Sequence, residues 1–532
     1  QVWGLATQLY SVRSHLSWGL GDFADLADLA WLAGRKMGAD FLLVNPVHAG
    51  EPMTPLSASP YLPTSRRFRH PLYIRPEDIP ETAYLSSPER ALVEWAAEPA
   101  RALNTDAGPL NRDAVWEAKR SALEVIFTAP RKPSRQLAFT EFVTEQGADL
   151  ETFATWCAIV EQRGSIKLPP ELADPTSPAV SELAAELRER IEFYKWLQWV
   201  ADEQAGNAHR TAREVGMAVG IVNDLAVGAH KNGADAWALG PVLASDVFIG
   251  SPPDFYNQQG QNWSQPPWHP LELARAGYAP FRAMIRAALR NSGALRVDHI
   301  IGMFRAWWIP EGCSPREGVY VGYDHEAMIG ILVLEATRSG ALVIGEDLGI
   351  VEPWVREYLT QRGILGSSVL WFEKDDVGEV LPPEQYRRLA LAMVTTHDLP
   401  PTPGYLAGEH VEIRQRLGLL NEPVEWERQK ARAERAEMLD MLTERGLISD
   451  DPSEREIVEA LHRYLRSAPS LLLGVSLADA VGERRAQNQP GTDTEYPNWK
   501  VPLADAAERL VFIEDLPNNA RMWSLIRALD AN

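Results

Sequence analysis

Short apolar runs that end abruptly in charged residues constrain this 532-residue chain more than any other feature. ALRVDHI (294–300), ALVIGED (341–347) and MVTTHD (393–398) each read as a buried strand, closing on Asp298, on Glu346 with Asp347, and on His397 with Asp398. A parallel strand covered on both faces is close to continuously apolar, and an unpaired charge within it is costly. Such charges are tolerated at strand ends. For any one of these carboxylates, capping of the following helix is a sufficient explanation. Three of them point to a shared site.

Other runs share the strand-like pattern: WGLATQLYSV (3–12), FLLVNPV (41–47), MAVGIVNDLAVG (217–228), SSVLWFE (367–373) and SLLLGVSLADAVG (470–482). Between the first two lies a helix signature. Asp22 can cap it, Phe23, Leu26, Ala27, Ala30 and Met37 share a face, and Gly38 can stop it. Eight strands alternating with helices predict an α/β fold, a TIM-type (β/α)8 barrel. Two charged helical stretches do not fit a bare barrel. The expected organisation is the start of the barrel at 1–87, a helical insertion at 88–212, the barrel's continuation at 213–422, a second helical insertion at 423–468, and the last strand with terminal helices at 469–532. The charge runs in the insertions read as solvated faces.

Composition narrows the partners. A formal charge of −21 argues against nucleic acid and anionic membranes, which need a basic face. Cys157 and Cys313 are the only thiols, which suggests a reducing compartment without a disulfide framework. No apolar run reaches the roughly 18 residues of a membrane span, so a cytoplasmic location is expected. The chain starts at Gln1 rather than Met, directly before strand-like residues, which reads as a trimmed piece of something longer. No HExxH, CxxC or phosphate-binding glycine pattern appears, so neither metal nor organic cofactor is expected.

Barrel enzymes assemble their chemistry at the C-terminal ends of several strands. Asp298, Glu346 and Asp398 would converge there. Two carboxyl groups flanking a glycosidic bond, one a nucleophile and one a proton donor, form the machinery of a retaining glycosidase. Arg296, two residues before Asp298 on the same strand face, is expected to hold that carboxylate ionised.

The motifs LRVDH, IGEDLG and TTHDLP, with ATQLYSVRSHLSWGLGDFADLADLA, SASPYLPTSRR, GSPPDFYNQQGQNW and PGTDTEYPNWK, span nearly the whole chain. Together they resemble the 4-α-glucanotransferases, also called amylomaltases or disproportionating enzymes, of glycoside hydrolase family 77, and most closely the bacterial maltodextrin-metabolising type. The resemblance implies transfer of a segment of an α-1,4-glucan (maltose, maltotriose or a longer maltodextrin) to the 4-hydroxyl of another glucan or of glucose. It implies Asp298 as nucleophile, Glu346 as general acid/base and Asp398 as transition-state stabiliser. Arg296, His299 and His397 match positioning neighbours. Asp224 matches an acidic residue after the third strand, with a helix cap as the alternative. Tyr61, near Ser59 in ASPY, matches an aromatic that stacks on the donor sugar, with a buried tyrosine as the alternative. Asp254, Gln261 and Trp263 lie in the glycine- and proline-rich segment 250–269 that matches a substrate-covering loop. Asn498 and Trp499 match the PGT…NW segment, where packing is an equal reading. Two departures concern subgroup and glucan length: Ala226 where many members carry proline, and Leu399-Pro400 where shorter thermophile-type enzymes carry Asn-Asp. The competing readings are an α-amylase-type retaining hydrolase, a silent glucan-binding module, and a metal-dependent barrel lyase or aldolase.

Overall fold

The structure is a computed structural model and describes residues 1–253, 259–375 and 377–530. Fourteen strands are present among them. Eight form one parallel sheet: β1 (Val2–Thr7), β2 (Phe41–Val44), β5 (Gly220–Leu225), β8 (Ala294–Val297), β11 (Leu342–Gly345), β12 (Gly366–Val369), β13 (Ala390–Met393) and β14 (Leu472–Ser476). Their order is β11-β8-β5-β2-β1-β14-β13-β12. The two ends of this sheet meet through Leu365, whose N–H donates to Val343 O (3.0 Å) and whose carbonyl accepts from Gly345 N–H (2.7 Å). The result is a TIM barrel. Its interior is filled by side chains such as Phe41, Val222, Ile344, Leu391 and Leu472. β1 can approach β2 closely only because residue 4 is glycine, since a Cβ there would stand 2.3 Å from Phe41 O.

The first helix, α1 (Phe23–Met37), shows how local sequence sets position. Asp22 closes a capping box with Asp25, and Gly38 ends the helix in the left-handed conformation at φ 74°. Both carboxylates are fully buried and need cations. Arg75 donates to Asp22 at 2.7 and 3.1 Å and to Asp25 at 3.1 Å, and the fully buried Lys119 stands 3.5 Å from Asp22. Arg75 and Lys119 lie beyond β2, so these pairs tie α1 to the segment that follows.

That segment is helical. It comprises α2 (Ser87–Ala102), α3 (Arg112–Phe127), α4 (Pro133–Arg163), α5 (Pro178–Glu186) and α6 (Arg188–Glu214), with α4 broken at Gly147 (φ 63°). Its core takes much of the tryptophan: Trp116, Trp156 and Trp196 are all buried. The strongly charged helix Val424–Glu444 buries only Met438 and Leu442, so its charges face water. Among the described residues no helix is long and apolar enough to cross a membrane.

Three strand-like runs are shorter than their patterns predict. Residues 8–12 turn in a single helical turn at Leu9–Ser11, Leu370–Phe372 does the same after β12, and LADAV (Leu477–Val481) is helical. Each is an apolar continuation that leaves the sheet at the barrel rim, where strand pairing ends. The segment 250–269, expected as a substrate-covering loop, contains a strand: β7 (Gln261–Gln265) pairs antiparallel with β6 (Val247–Ser251). These two join β9 (Arg305–Pro310) and β10 (Val319–Gly322) in a sheet ordered β10-β9-β6-β7. A register shift beside Gly250 and the positive φ of Ser264 (58°) disrupt the two-residue alternation there. A short hairpin, β3 (His48–Ala49) with β4 (Ser65–Arg69), completes the strands.

Replacing Arg75 with methionine should leave Asp22 and Asp25 buried without their main counter-charge, at a cost of about 3–5 kcal/mol. Chemical denaturation should register this loss, whereas Arg428→Ala, which breaks exposed pairs with Glu412 and Glu425, should leave the midpoint unchanged.

Candidate active site

The C-terminal ends of neighbouring strands bring the charged motifs together. β5 ends beside Asp224, β8 carries Arg296 and leads to Asp298, β11 leads to Glu346, and β13 leads to His397 and Asp398. Backbone hydrogen bonds lace these ends: Asp298 N–H donates to Leu225 O (3.0 Å), Glu346 N–H to Val297 O (2.9 Å) and Ile300 N–H to Glu346 O (3.1 Å). His299 takes the left-handed conformation (φ 47°), uncommon outside glycine. Its N–H donates to Glu346 Oε2 at 3.0 Å, and Leu348 N–H donates to Oε1 at 2.7 Å.

Arg296 is the hub. Its Nη1 reaches both oxygens of Asp224, at 2.8 and 2.9 Å, and its Nη2 reaches Asp298 at a looser 3.3 Å. Arg296 favours the ionised form of Asp298, the direction expected of it. Burial, reinforced by Asp224 and Glu346, outweighs the arginine and pushes Asp298 up to about 7. Burial also raises Glu346, against the pull of Arg296 and of its two N–H donors. Asp398 differs. Burial would raise it, but His397, whose Nε2 lies 3.3 Å from Oδ2, holds it well below the usual carboxylate range. The pairing raises His397 in turn, despite its burial.

Tyr61 joins these groups from the loop before β4. Its hydroxyl donates to Asp224 Oδ2 (2.7 Å) and lies 3.3 Å from His397 Nδ1, while its ring stacks on His397 with centroids 4.7 Å apart. Trp499 packs on both rings. Trp263 meets His299 edge-on at 5.1 Å and donates to Gln261 at 2.8 Å. Tyr61, Asp224, Arg296, Glu346 and His397 all line one cavity open to solvent.

The remaining candidates sit as follows. Asp224 is 5 % exposed, with one oxygen bonded to Arg296 and the other shared by Arg296 and Tyr61. Ser59 accepts the N–H of Tyr61 (3.2 Å) and shapes that turn. Asn498 accepts Gln489 N–H (2.7 Å) and donates to Thr492 and Asp493, bracing its own loop. Asp254 lies outside the described residues. Asn488 is a residue that sequence reading missed: its amide donates to Asp398 Oδ1 at 3.0 Å. Its signal was an asparagine two residues before the Pro490-Gly491 turn. Asp347 turns away from the cavity to Arg387 and to Ser367 N–H (2.9 Å), fastening β11 to β12. At the departure from proline, Ala226 uses the N–H that proline lacks to donate to His48 Nε2 at 3.2 Å. Among the described residues no cluster of three or more His, Cys, Asp or Glu is placed to hold a metal ion.

A TIM barrel whose strand ends carry this group of carboxylates is the architecture of a carbohydrate-active enzyme. Comparison with known proteins is more specific. Residues 7–507 match the glycoside hydrolase family 77 model, described as 4-alpha-glucanotransferase, and this chain belongs to that family. It is 51 % identical to the 4-alpha-glucanotransferase of Mycobacterium tuberculosis (strain ATCC 25618 / H37Rv), over all of this chain and 75 % of that protein. It is 32 % identical to the Haemophilus influenzae 4-alpha-glucanotransferase, over 95 % of this chain and 76 % of that one. The crystal structure of amylomaltase from Corynebacterium glutamicum superposes with a TM-score of 0.93 at 46 % identity, covering 99 % of this chain and 75 % of its own. The amylomaltase from Streptococcus agalactiae in complex with acarbose shares the fold, with a TM-score of 0.78 at 18 % identity, covering 99 % of this chain and 98 % of its own.

The raised carboxyl of Asp298 sets a sign for stability. Its folded-state pKa of about 7 exceeds the unfolded value of about 3.9, so folding disfavours the ionised form. That penalty is absent below the unfolded value, grows through the interval and is complete above the folded value. Asp298→Asn should therefore raise Tm relative to the parent at pH 8 and leave it unchanged at pH 4. Asp224→Asn removes a like charge and frees Arg296 for Asp298, so the acidic limb of the residual kcat/KM should move to lower pH. A limb that stays in place would contradict the assigned coupling.

Proposed function

We propose that this chain transfers segments of α-1,4-glucans to the 4-hydroxyl of another glucan or of glucose by a retaining double displacement. The observation that carries this reading is the placement of Asp298 and Glu346 at the ends of adjacent strands, both carboxyls raised by burial, within a chain of the 4-alpha-glucanotransferase family. Glu346, held protonated, donates its proton to the glycosidic oxygen while Asp298 attacks the anomeric carbon. The reducing-end fragment leaves and a β-linked glycosyl–enzyme remains. Glu346, now a carboxylate, takes the proton of the acceptor's 4-hydroxyl as that oxygen displaces Asp298. Asp298 attacks as the carboxylate, and Arg296 stands ready to stabilise it. Asp398, ionised beside His397 and held by Asn488, serves as an acceptor for sugar hydroxyls that tighten in the transition state. No step calls on a metal or organic cofactor. Two unpaired cysteines accord with a cytoplasmic setting.

The names of the relatives favour transfer over hydrolysis. Transfer requires that an acceptor glucan gain binding energy where water gains none. Trp263, beside His299 and with an edge free of the core, is placed for that role.

Maltotriose alone should give glucose and a ladder of longer maltodextrins, with total reducing ends almost constant. A steady rise in reducing ends without longer products would identify a hydrolase. With activated donors, azide should rescue Asp298→Ala as the inverted β-glucosyl azide and Glu346→Ala as the retained α-glucosyl azide; one anomer from both would cancel the assignment of roles. Trp263→Ala should lower transfer more than hydrolysis, raising the ratio of free reducing ends to transfer products severalfold, and a proportional fall of both would refute the selective role.

A further inference from the structure

Behind the active-site cavity, with Asp224 as a shared wall, lies a second pocket, partly open to solvent. Four arginines line it. Arg66, Arg67 and Arg69 come from the single strand β4, and Arg290 follows the helix Ala279–Leu289. Carboxylates are fewer there. Asp202 is taken by Arg69 (2.8 Å) and by Nε and Nη2 of Arg290 (2.8 and 2.9 Å), whose Nη1 donates to Glu145 (2.7 Å), while Asp224 is taken from its other side by Arg296.

Arg66 is the group left over. It is 7 % exposed, and its Nη1 donates to two neutral carbonyls, Ala226 O (3.0 Å) and Val227 O (2.7 Å). Asp235 accepts the backbone N–H of Arg66 instead, and among the described residues no carboxylate lies within ion-pair distance of its guanidinium. Its Nε is buried without a hydrogen-bond partner. Arg67 is partly served: its Nε faces Asp149 Oδ2 at a long 3.5 Å, and Gln146 accepts its Nη1 (3.1 Å). The carboxylate of Asp235 acts on Arg66 only from beyond ion-pair distance and does not offset its burial, and a buried N–H without an acceptor is costly. Two of these arginines act on His48 in the same wall. Burial, then Arg66 and Arg69, push its imidazole down to about 3. It therefore stays neutral, with Nε2 accepting Ala226 N–H.

We propose that this pocket is a binding site for a phosphate-sized oxyanion, either free phosphate or the phosphoryl group of a sugar phosphate, received by Arg66 and Arg67. Guanidinium groups match the oxygen spacing of such anions and supply charge-assisted hydrogen bonds. The site stands apart from the glucan chemistry and does not depend on the assigned catalytic roles.

The full chain should be titrated with inorganic phosphate, glucose 1-phosphate and chloride at matched ionic strength, following thermal unfolding and heat of binding. Phosphate should raise Tm saturably and chloride should not. Tighter binding of glucose 1-phosphate would assign the sugar phosphate as source, and binding of phosphate alone would assign the free anion. Arg67→Gln, at a partly exposed position, should weaken Kd about tenfold by losing one charged donor. Arg66→Lys keeps the charge but loses the planar fork, and should weaken binding as well. Absence of any saturable response in the parent, an equal response to chloride, or an unchanged Kd in both variants would overturn the proposal.

Discussion

The Arg296–Asp224 pair is the interaction on which the site depends. It joins the ends of β5 and β8 across one step of the barrel, and it decides where every other charge stands. Because Asp224 engages the guanidinium with both oxygens, Asp298 receives only a long contact from it. Because the same carboxylate accepts the Tyr61 hydroxyl, the aromatic stack of Tyr61 on His397 is held in line, and through His397 the charge of Asp398. A buried ion pair of this kind is weak evidence for stability. Its value here is geometric, since one planar cation holds Asp224 of β5 and reaches Asp298 after β8, and Asp224 in turn holds the Tyr61 hydroxyl.

The same arrangement separates the three carboxyl groups by environment. Asp298 and Glu346 lie where burial and like charges resist ionisation, whereas Asp398 has a protonatable histidine and an amide for partners. Glycosyl transfer needs this difference: one group must hold a proton, one must attack as an anion, and a third must remain charged throughout. The charge of Glu346 adds to burial in resisting ionisation of Asp298, so the two carboxyls favour sharing one proton between them.

Much of the barrel was legible in the sequence, for definite reasons. FLLV and ALAM are buried throughout, and such strands appear as bare apolar runs. α1 was legible because Asp22 and Gly38 mark its ends chemically. The strand β7 was not, because QNWSQ lies on a partly exposed sheet with a register shift that breaks the alternation by which strands are read. Nor was the end of the last strand legible: LADAV continues its apolar character, and only the barrel's rim turns it into a helix.

What the sequence by itself determined is the set of chemical groups and their attachment to strand ends. Asp298, Glu346 and Asp398 follow apolar runs because a charge can leave a buried strand only there. What the tertiary structure alone decided is partnership. The sequence places Arg296 two residues from Asp298, but the barrel places Asp224 closer to its guanidinium. The motif GEDLG offers two adjacent carboxylates, and only the fold sends Glu346 into the cavity and Asp347 outward to Arg387. Asn488 and Asp398 are 90 residues apart, and Arg66 meets the carbonyls of Ala226 and Val227 across about 160 positions. The physical reason is that electrostatic and hydrogen-bond energies depend on distances of a few ångströms. Sequence separation carries no such information once strands from all parts of the chain close into one ring.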